Sequence, residues 1–151
     1  MKCLIRNGRV IDPVNKVDRE CDLLISGGKI EEIGEALKGQ YDNIVDAKGR
    51  IVAPGLVDMH THLREPGRED KETIASGTRA AVRGGFTTVA CMPNTEPAID
   101  SPKAVELVKE IIKRDALCNV LIVGAITRSR LGRELSDHAG MRKAGAVAIS
   151  D

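Results

Sequence analysis

The chain has 151 residues, of which 42% are hydrophobic and 30% charged, and its formal net charge is +1. This length and composition are typical of a globular chain with a hydrophobic core, and the balanced charge argues against a nucleic-acid surface, which needs clustered Lys and Arg. The apolar runs are far shorter than the ~20 residues of a membrane span, and residues 1–20 lack the pattern of a secretory signal. We therefore expect a cytoplasmic protein without nucleic-acid or membrane partners.

Residues 1–53 contain short apolar runs separated by turn signals, and we predict that they form the strands of a small β-domain. Asn7-Gly8, Gly27-Gly28 and Ala47-Lys48-Gly49 are the predicted turns. Glycine pairs accept the positive φ angles that tight hairpin turns require. No residue of this part is assigned to chemistry. The predicted strands are residues 3–6, 9–11, 22–25, 29–33, 44–46 and 50–52.

From residue 54 onward, apolar strands alternate with helical patterns. The predicted strands are residues 56–59, 86–92, 120–123 and 146–149, and the predicted helices are residues 72–83, 102–114 and 131–144. Ser101 and Pro102 are typical of a helix start, and Gly84-Gly85 is typical of a helix end. The helix residues predicted to face the core are Ile74, Thr78, Ala81, Val82, Ala104, Leu107, Val108, Ile111, Leu131, Leu135, Met141 and Ala144.

Strand–helix units of this length imply right-handed crossovers and a parallel sheet. Four such strands fit the start of either an open doubly wound sheet or a (β/α)8 barrel, and the barrel normally needs ~250 residues. The chain stops at Asp151, directly after the fourth strand and without a covering helix. We therefore expect an α/β fold in which residues 54–151 are the first four β/α units of an incomplete barrel.

The candidate site begins with His60 and His62 at the end of the first predicted barrel strand. Side chains two residues apart on a strand point to the same face, so both imidazoles are expected to project into one space as half of a catalytic metal site. An isolated H-x-H pattern also fits two ordinary polar residues on a strand. If the extended conformation continues, Asp58 and Arg64 share that face, with Asp58 orienting a ring and Arg64 at the mouth. His138 is predicted to be a solvated surface residue.

A second candidate element is Met92-Pro93-Asn94-Thr95, which follows the next predicted strand. In a parallel barrel this loop lies on the same rim as the two histidines, so Asn94 reaches the same pocket. Asn beside Pro is also common as a plain turn residue. Together, Arg64 and Asn94 would present a guanidinium fork and an amide, which suit a carboxylate group.

The cysteines are Cys3, Cys21, Cys91 and Cys118, and none belongs to a C-x-x-C pair. Three of them stand in apolar, strand-like segments, where cysteine usually behaves as a small buried hydrophobe. We therefore predict no metal or disulfide role for these thiols.

The run from Pro54 to Gly67, with Gly84-Gly85-Phe86-Thr87-Thr88 and Met92-Pro93-Asn94-Thr95, resembles dihydroorotases of the amidohydrolase superfamily. The pattern Pro-Gly-x-x-Asp-x-His-x-His is shared among cyclic amidohydrolases, including hydantoinases and allantoinases. Arg-Glu-Pro-Gly combined with Met-Pro-Asn-Thr is narrower and is similar to dihydroorotases. The resemblance covers essentially the whole chain, because the first strands are similar to the small β-domain that those enzymes carry beside their barrel.

This resemblance implies a two-zinc enzyme that reversibly cyclises N-carbamoyl-L-aspartate to L-dihydroorotate in pyrimidine biosynthesis. His60 and His62 match the zinc ligands of the first barrel strand, and Arg64 and Asn94 match the residues that hold the substrate carboxylate. Asp151 matches the first Asp of an Asp-Asp-Gly motif whose second Asp is the usual bridging ligand. That ligand, the remaining histidines and the general base are expected beyond residue 151, so the chain alone is expected to contain no general base and to be inactive.

Several alternatives remain open from the sequence. An allantoinase or hydantoinase is one, although Asn94 in Met-Pro-Asn-Thr argues against both. A second is a non-catalytic homologue that only scaffolds an aspartate carbamoyltransferase, against which the presence of His60 and His62 argues. A third is a free-standing small sheet protein with an unrelated binding role. Beyond the small-molecule substrate, a homodimer and an aspartate carbamoyltransferase are the candidate partners.

Overall fold

The computed structural model describes residues 1–151, which form two compact units, Met1–Pro54 and Gly55–Asp151. In chain order the elements are β1 (Lys2–Asp12), β2 (Val17–Ser26), β3 (Lys29–Gly34), β4 (Asn43–Asp46), β5 (Ile51–Val52), β6 (Leu56–Thr61), α1 (Ile74–Arg83), β7 (Phe86–Cys91), α2 (Pro102–Asp115), β8 (Asn119–Ala125), a 3-10 turn (Arg128–Arg130), α3 (His138–Ala144) and β9 (Ala146–Ser150).

The first unit is a five-stranded sheet in the order β3-β2-β1-β4, with β5 also paired to β1. The predicted turn at Gly27-Gly28 is confirmed, because both residues have positive φ (58° and 77°) and join β2 to β3. The predicted turn at Asn7-Gly8 is wrong. β1 runs straight through it, and its register against β2 shifts between Ile5 and Gly8. Asn7 takes the left-handed conformation (φ 61°), so the two residues form an irregularity in one strand.

The predicted turn at Ala47-Lys48-Gly49 is present, because the Arg50 N–H donates to the Ala47 carbonyl at 2.9 Å and Gly49 has a φ of 72°, but it does not close a hairpin. The strands on either side of it, β4 and β5, both pair with β1 in parallel and not with each other. The turn at residues 47–49 therefore connects two strands that pair with the same side of β1, one after the other. Their local sequence could not distinguish that arrangement from a hairpin, because the partner strand is distant in sequence.

The second unit is a four-stranded parallel sheet in the order β6-β7-β8-β9. Helix α1 begins at the N-cap Thr73, and α2 begins with Ser101 as N-cap and Pro102 at the first helical position. The buried core between the helices and the sheet comprises Leu63, Ile74, Val89, Cys91, Ile99, Ala104, Val105, Val108, Ile122, Met141 and Ala146. The predicted α/β class with parallel strand–helix units is confirmed.

The predicted third helix is too long at its start. Residues 128–130 form a 3-10 turn, and α3 begins only at His138, with the Asp137 carboxylate accepting a hydrogen bond from the Gly140 N–H. Leu131 and Leu135, both predicted to face the core, are each 66% exposed. The left-handed backbone of the residues around Leu131 (Ser129 at 50° and Gly132 at 70°) prevents a continuous helix.

Two other helical faces are rotated slightly from the predicted ones. Val82 of α1 and Leu107 of α2 are 48% and 45% exposed, whereas Val105 is completely buried. Residue spacing alone predicts the buried face of a helix only to within one residue position. The fold resolves it by packing α2 through Val105 and Val108. No helix in residues 1–151 combines the length and apolar character needed to cross a membrane.

Candidate functional site

Polar residues follow each strand of the parallel sheet at the edge where the strands end. His62 follows β6, Asn94 follows β7, Thr127 follows β8 and Asp151 follows β9. Because the carboxyl ends of parallel strands lie at one edge of a sheet, these residues share a rim. This is the edge at which barrel and open α/β enzymes bind their substrates.

His60 and His62 lie together on this rim. Their ring centroids are 5.1 Å apart with an interplanar angle of 67°, and both side chains are exposed. The two imidazoles therefore project into one space, as expected from their spacing. The donor chemistry fits zinc, for which imidazole nitrogen is a preferred ligand. No group of three or more His, Cys, Asp or Glu side chains in residues 1–151 is arranged to hold a metal ion.

Asp58 does not orient a histidine ring in this structure, so that expectation is wrong. Its Oδ1 accepts a hydrogen bond from the backbone N–H of His60 at 3.0 Å. The pairing register of β6 against β7 is irregular between Asp58 and Thr61. A short Asp side chain then bonds to the backbone two residues ahead, which is its usual local alternative.

Asn94 is brought into contact with the histidine pair. Its Oδ1 lies 2.8 Å from Nδ1 of His62. The backbone below this contact is also joined, because the Met92 N–H donates to the carbonyl of Thr61 at 2.9 Å. The loop after β7 therefore reaches the histidines, as the shared rim of a parallel sheet predicts.

Arg64 is partly buried and lies two residues beyond His62. Its φ of 65° is left-handed, so the extended conformation assumed for the parity argument ends before it. The guanidinium forms no ion pair. Glu69, one of two acids that could have neutralised it, instead accepts the Gly67 N–H. The other, Glu65, bonds to the Ile74 N–H and lies near Arg114, so neither acid neutralises Arg64.

The loops that carry Arg64 and Asn94 are fastened to each other. The Glu96 N–H donates to the carbonyl of Pro66 at 2.8 Å. Gly67, with φ 96°, packs so closely that a Cβ there would lie 2.0 Å from the Glu96 carbonyl oxygen. A side chain at position 67 would therefore push the two loops apart, and this explains the glycine in the Arg-Glu-Pro-Gly run.

Glu65 anchors the Arg64 loop to the start of α1, a role that the sequence did not reveal. Its Oε2 accepts the free N–H of Ile74, the first residue of that helix, at 2.8 Å. Its distance to the Arg114 guanidinium is 3.9 Å, while Arg114 is 69% exposed and lies 2.6 Å from Asp115. The bond to the helix N-terminus is therefore the stronger of the two contacts.

We expect Glu65→Ala to lower the free energy of unfolding by about 1 kcal/mol, the typical loss when a helix N-terminus loses a side-chain acceptor. Glu65→Gln should lose less, because its amide oxygen still accepts the Ile74 N–H and only the weak attraction to Arg114 disappears. Urea unfolding of both variants measures the difference. Equal losses in both variants would mean that the charge, and not the helix N–H, holds Glu65 in place.

The Asp151 carboxylate accepts hydrogen bonds from the loop after β8. Its Oδ1 accepts the N–H groups of Ile126 and Thr127 at 2.9 and 3.1 Å, and its Oδ2 accepts the Thr127 hydroxyl at 2.5 Å. These bonds, that of the hydroxyl first, lower the pKa of the Asp151 carboxyl below its usual value. Asp151 thus acts in this structure as an anchor for that loop. Thr127 was missed in the sequence, although it is the first polar residue after β8 and therefore lies on the rim.

His138 is not a freely solvated residue. It is partly buried, and its Nε2 lies 2.8 Å from the carbonyl oxygen of Ile126. The prediction of a solvated surface position is therefore wrong, because the His138 ring is bonded to the backbone of the loop after β8. His138 is bound to the backbone of that loop and does not join the histidine pair.

The arrangement of a small sheet followed by parallel strand–helix units is also found in solved structures. L-Hydantoinase (dihydropyrimidinase) from Arthrobacter aurescens superposes with a TM-score of 0.86 and 24% sequence identity, covering 97% of this chain and 32% of that one. At that identity the match shows the shared fold.

A family model described as dihydro-orotase-like matches residues 49–151, and the chain belongs to this family. It is 54% identical over 151 residues to a dihydroorotase of Elusimicrobium minutum and 47% identical over 152 residues to one of Geotalea daltonii. Both alignments cover all of this chain but only 35% and 36% of the relative. The chain therefore spans about a third of the length of the curated relatives that it matches.

Proposed function

We propose that this chain is the amino-terminal part of a zinc-dependent dihydroorotase, which interconverts N-carbamoyl-L-aspartate and L-dihydroorotate in pyrimidine biosynthesis. The observation that carries the proposal is the 2.8 Å contact between His62 and Asn94. It joins the histidine motif common to cyclic amidohydrolases to the Met-Pro-Asn-Thr loop, which is the motif most similar to dihydroorotases. The 54% identity to a curated dihydroorotase supports the same assignment.

In this proposal His60 and His62 hold one of two zinc ions. Zinc supplies a Lewis acid for the ring amide carbonyl and lowers the pKa of bound water. The protein's part is to fix the two imidazoles at the rim, where their rings lie 5.1 Å apart. The other ligands, including the bridging carboxylate, and the general base come from beyond residue 151.

Arg64 and Asn94 are proposed to hold the substrate carboxylate. The Arg64 guanidinium has no acidic partner, and the two loops are fastened together through Pro66 and Glu96. A planar fork and an amide group carried on two joined loops can bind one carboxylate through several hydrogen bonds. The left-handed backbone of Arg64 fits this role, because such conformations cluster at ligand-binding sites.

Residues 1–53 would form a small β-domain, and residues 54–151 would form the first four β/α units of the barrel. Large apolar side chains of the parallel sheet remain exposed, including Met59 at 80% and Val57 at 57%. An apolar sheet surface of this kind is normally covered, and further barrel elements would cover it. The whole enzyme is proposed to act in the cytoplasm on a small-molecule substrate, with a homodimer or an aspartate carbamoyltransferase complex as its candidate assemblies.

A hydantoinase-type activity is the second candidate, because the solved structures with this fold include hydantoinases. Assays of the full-length enzyme with dihydroorotate, hydantoin and allantoin distinguish the candidates. We expect the enzyme to turn over dihydroorotate but neither hydantoin nor allantoin. Turnover of hydantoin or allantoin without dihydroorotate would contradict the proposal, and no turnover of any substrate would favour a non-catalytic scaffold.

The 151-residue chain on its own should show no dihydroorotase activity. It supplies two imidazole ligands, whereas catalytic zinc sites normally have three protein ligands, and it has no candidate for the general base. An ultraviolet assay of dihydroorotate hydrolysis with added zinc checks this. Turnover above that of a metal-free control would show that residues 1–151 contain a complete active site.

A further inference from the structure

The hydrogen-bonded pair Asn94 and His62 consists of a partly buried side chain, Asn94, and an exposed one, His62. Asn94 is partly buried, and its neighbours Pro93 and Thr95 are buried. The Thr95 hydroxyl donates to the carbonyl of Pro97 at 2.8 Å, which stiffens this loop. The His62 ring is exposed, and its only hydrogen bond is to the Asn94 amide oxygen, 2.8 Å from Nδ1. The loop therefore sets the orientation of the ring.

This contact also determines which ring nitrogen can bind a metal. A neutral imidazole carries its proton on one nitrogen only, and an amide oxygen accepts hydrogen bonds but cannot donate them. A hydrogen bond to Asn94 Oδ1 requires Nδ1 of His62 to carry the proton. The lone pair is then on Nε2, which is free to coordinate.

The other end of the same amide remains available. The Asn94 NH2 group has two donor hydrogens, and neither is bonded to a protein acceptor. A carboxylate held by Arg64 is the group that could accept them.

Resting on the proposed function, we infer that Asn94 is a positioning residue for the zinc ligand His62 as well as a substrate contact. Its oxygen holds the imidazole in the tautomer that coordinates through Nε2, and its NH2 group donates to the substrate carboxylate. The Asn94 side chain thereby contacts both the zinc ligand His62 and the substrate carboxylate. A plain substrate contact would leave zinc affinity unchanged when it is removed.

Asn94→Asp and Asn94→Ala in the full-length enzyme separate the two ends of the amide. Aspartate keeps an oxygen for the Nδ1 proton but loses the NH2 donors and repels an anionic substrate. Alanine loses both. Competition with a chromophoric chelator should show a roughly 10- to 100-fold weaker zinc affinity for Asn94→Ala, as for other lost partners of ligating histidines. Asn94→Asp should keep near wild-type zinc affinity while its KM for dihydroorotate rises.

His62→Ala serves as the reference. If it retains full zinc occupancy, the metal assignment of the proposed function is wrong. If it loses zinc while Asn94→Ala binds zinc like the wild type, the positioning role is wrong and the proposed function stands. A loss of zinc in Asn94→Asp equal to that in Asn94→Ala would also overturn the inference. If Asn94→Ala fails to fold, the position of the His62 proton decides the matter. Nitrogen NMR of the zinc-loaded enzyme should find the His62 proton on Nδ1, and a bare Nδ1 would contradict the inference.

Discussion

His60→Ala and His62→Ala in the full-length enzyme should each abolish dihydroorotase activity and lower the zinc content. Both imidazoles lie on the rim of the parallel sheet with their centroids 5.1 Å apart, so each is placed to supply a ligand to the same site. Loss of a ligand itself should exceed the roughly 10- to 100-fold loss that follows removal of a partner that only orients a ligand. Metal analysis of the purified variants, together with steady-state assays, measures both effects.

Cys91→Ala is the matched control for general damage to the same sheet. Cys91 ends β7, is 4% exposed, and burial raises the pKa of its thiol to about 11. The thiol is therefore protonated at neutral pH and is a poor metal ligand. We expect about 1 kcal/mol of lost stability with zinc content and activity retained. Normal zinc occupancy in both histidine variants, or zinc loss in Cys91→Ala, would contradict the assignment of the histidine pair.

The meeting of His60, His62 and Asn94 could be predicted from the sequence for a simple reason. Parallel strands separated by helices place their carboxyl ends on one edge, so residues more than 30 positions apart converge without any knowledge of side-chain packing. The alternation of apolar and helical segments also gave the order of elements in Gly55–Asp151. These features depend on periodicity, which is encoded locally along the chain.

The wrong predictions for Arg64 and Asp58 assume a regular strand, and the backbone is irregular at both residues. Arg64 was placed by strand parity, but its left-handed φ ends the strand pattern before it. Asp58 was placed beneath a ring, but the irregular register of β6 lets it bond to the backbone of His60. The role of Glu65 could not be found from the sequence, because its partner belongs to another element and is fixed only by the tertiary fold. Thr127 could be placed on the rim as the first polar residue after β8, but its bond to Asp151 depends on the tertiary fold.

Arg64→Lys in the full-length enzyme should lower kcat/KM for dihydroorotate roughly ten- to hundredfold while zinc content stays normal. A guanidinium holds a carboxylate through two parallel hydrogen bonds, and a lysine ammonium keeps the charge but loses the second bond. A hydrogen bond to a charged group is worth ~1.5–3 kcal/mol, which corresponds to that range of rate loss. The loss should appear mainly in KM, because the bond is made to the bound substrate as well as to its transition state.

Arg68→Lys is the control in the same loop. Arg68 pairs with Asp70 at 3.4 Å on the exposed side of the loop, so its replacement should leave the kinetics unchanged. The competing explanation for Arg64 is a structural role, and it predicts a lower melting temperature with unaltered KM. The structure argues against that explanation, because Glu65 and Glu69 are bonded to backbone N–H groups and leave the guanidinium without an acidic partner. Steady-state kinetics beside a melting curve separates the two roles, and an unchanged KM in Arg64→Lys would refute substrate binding by Arg64.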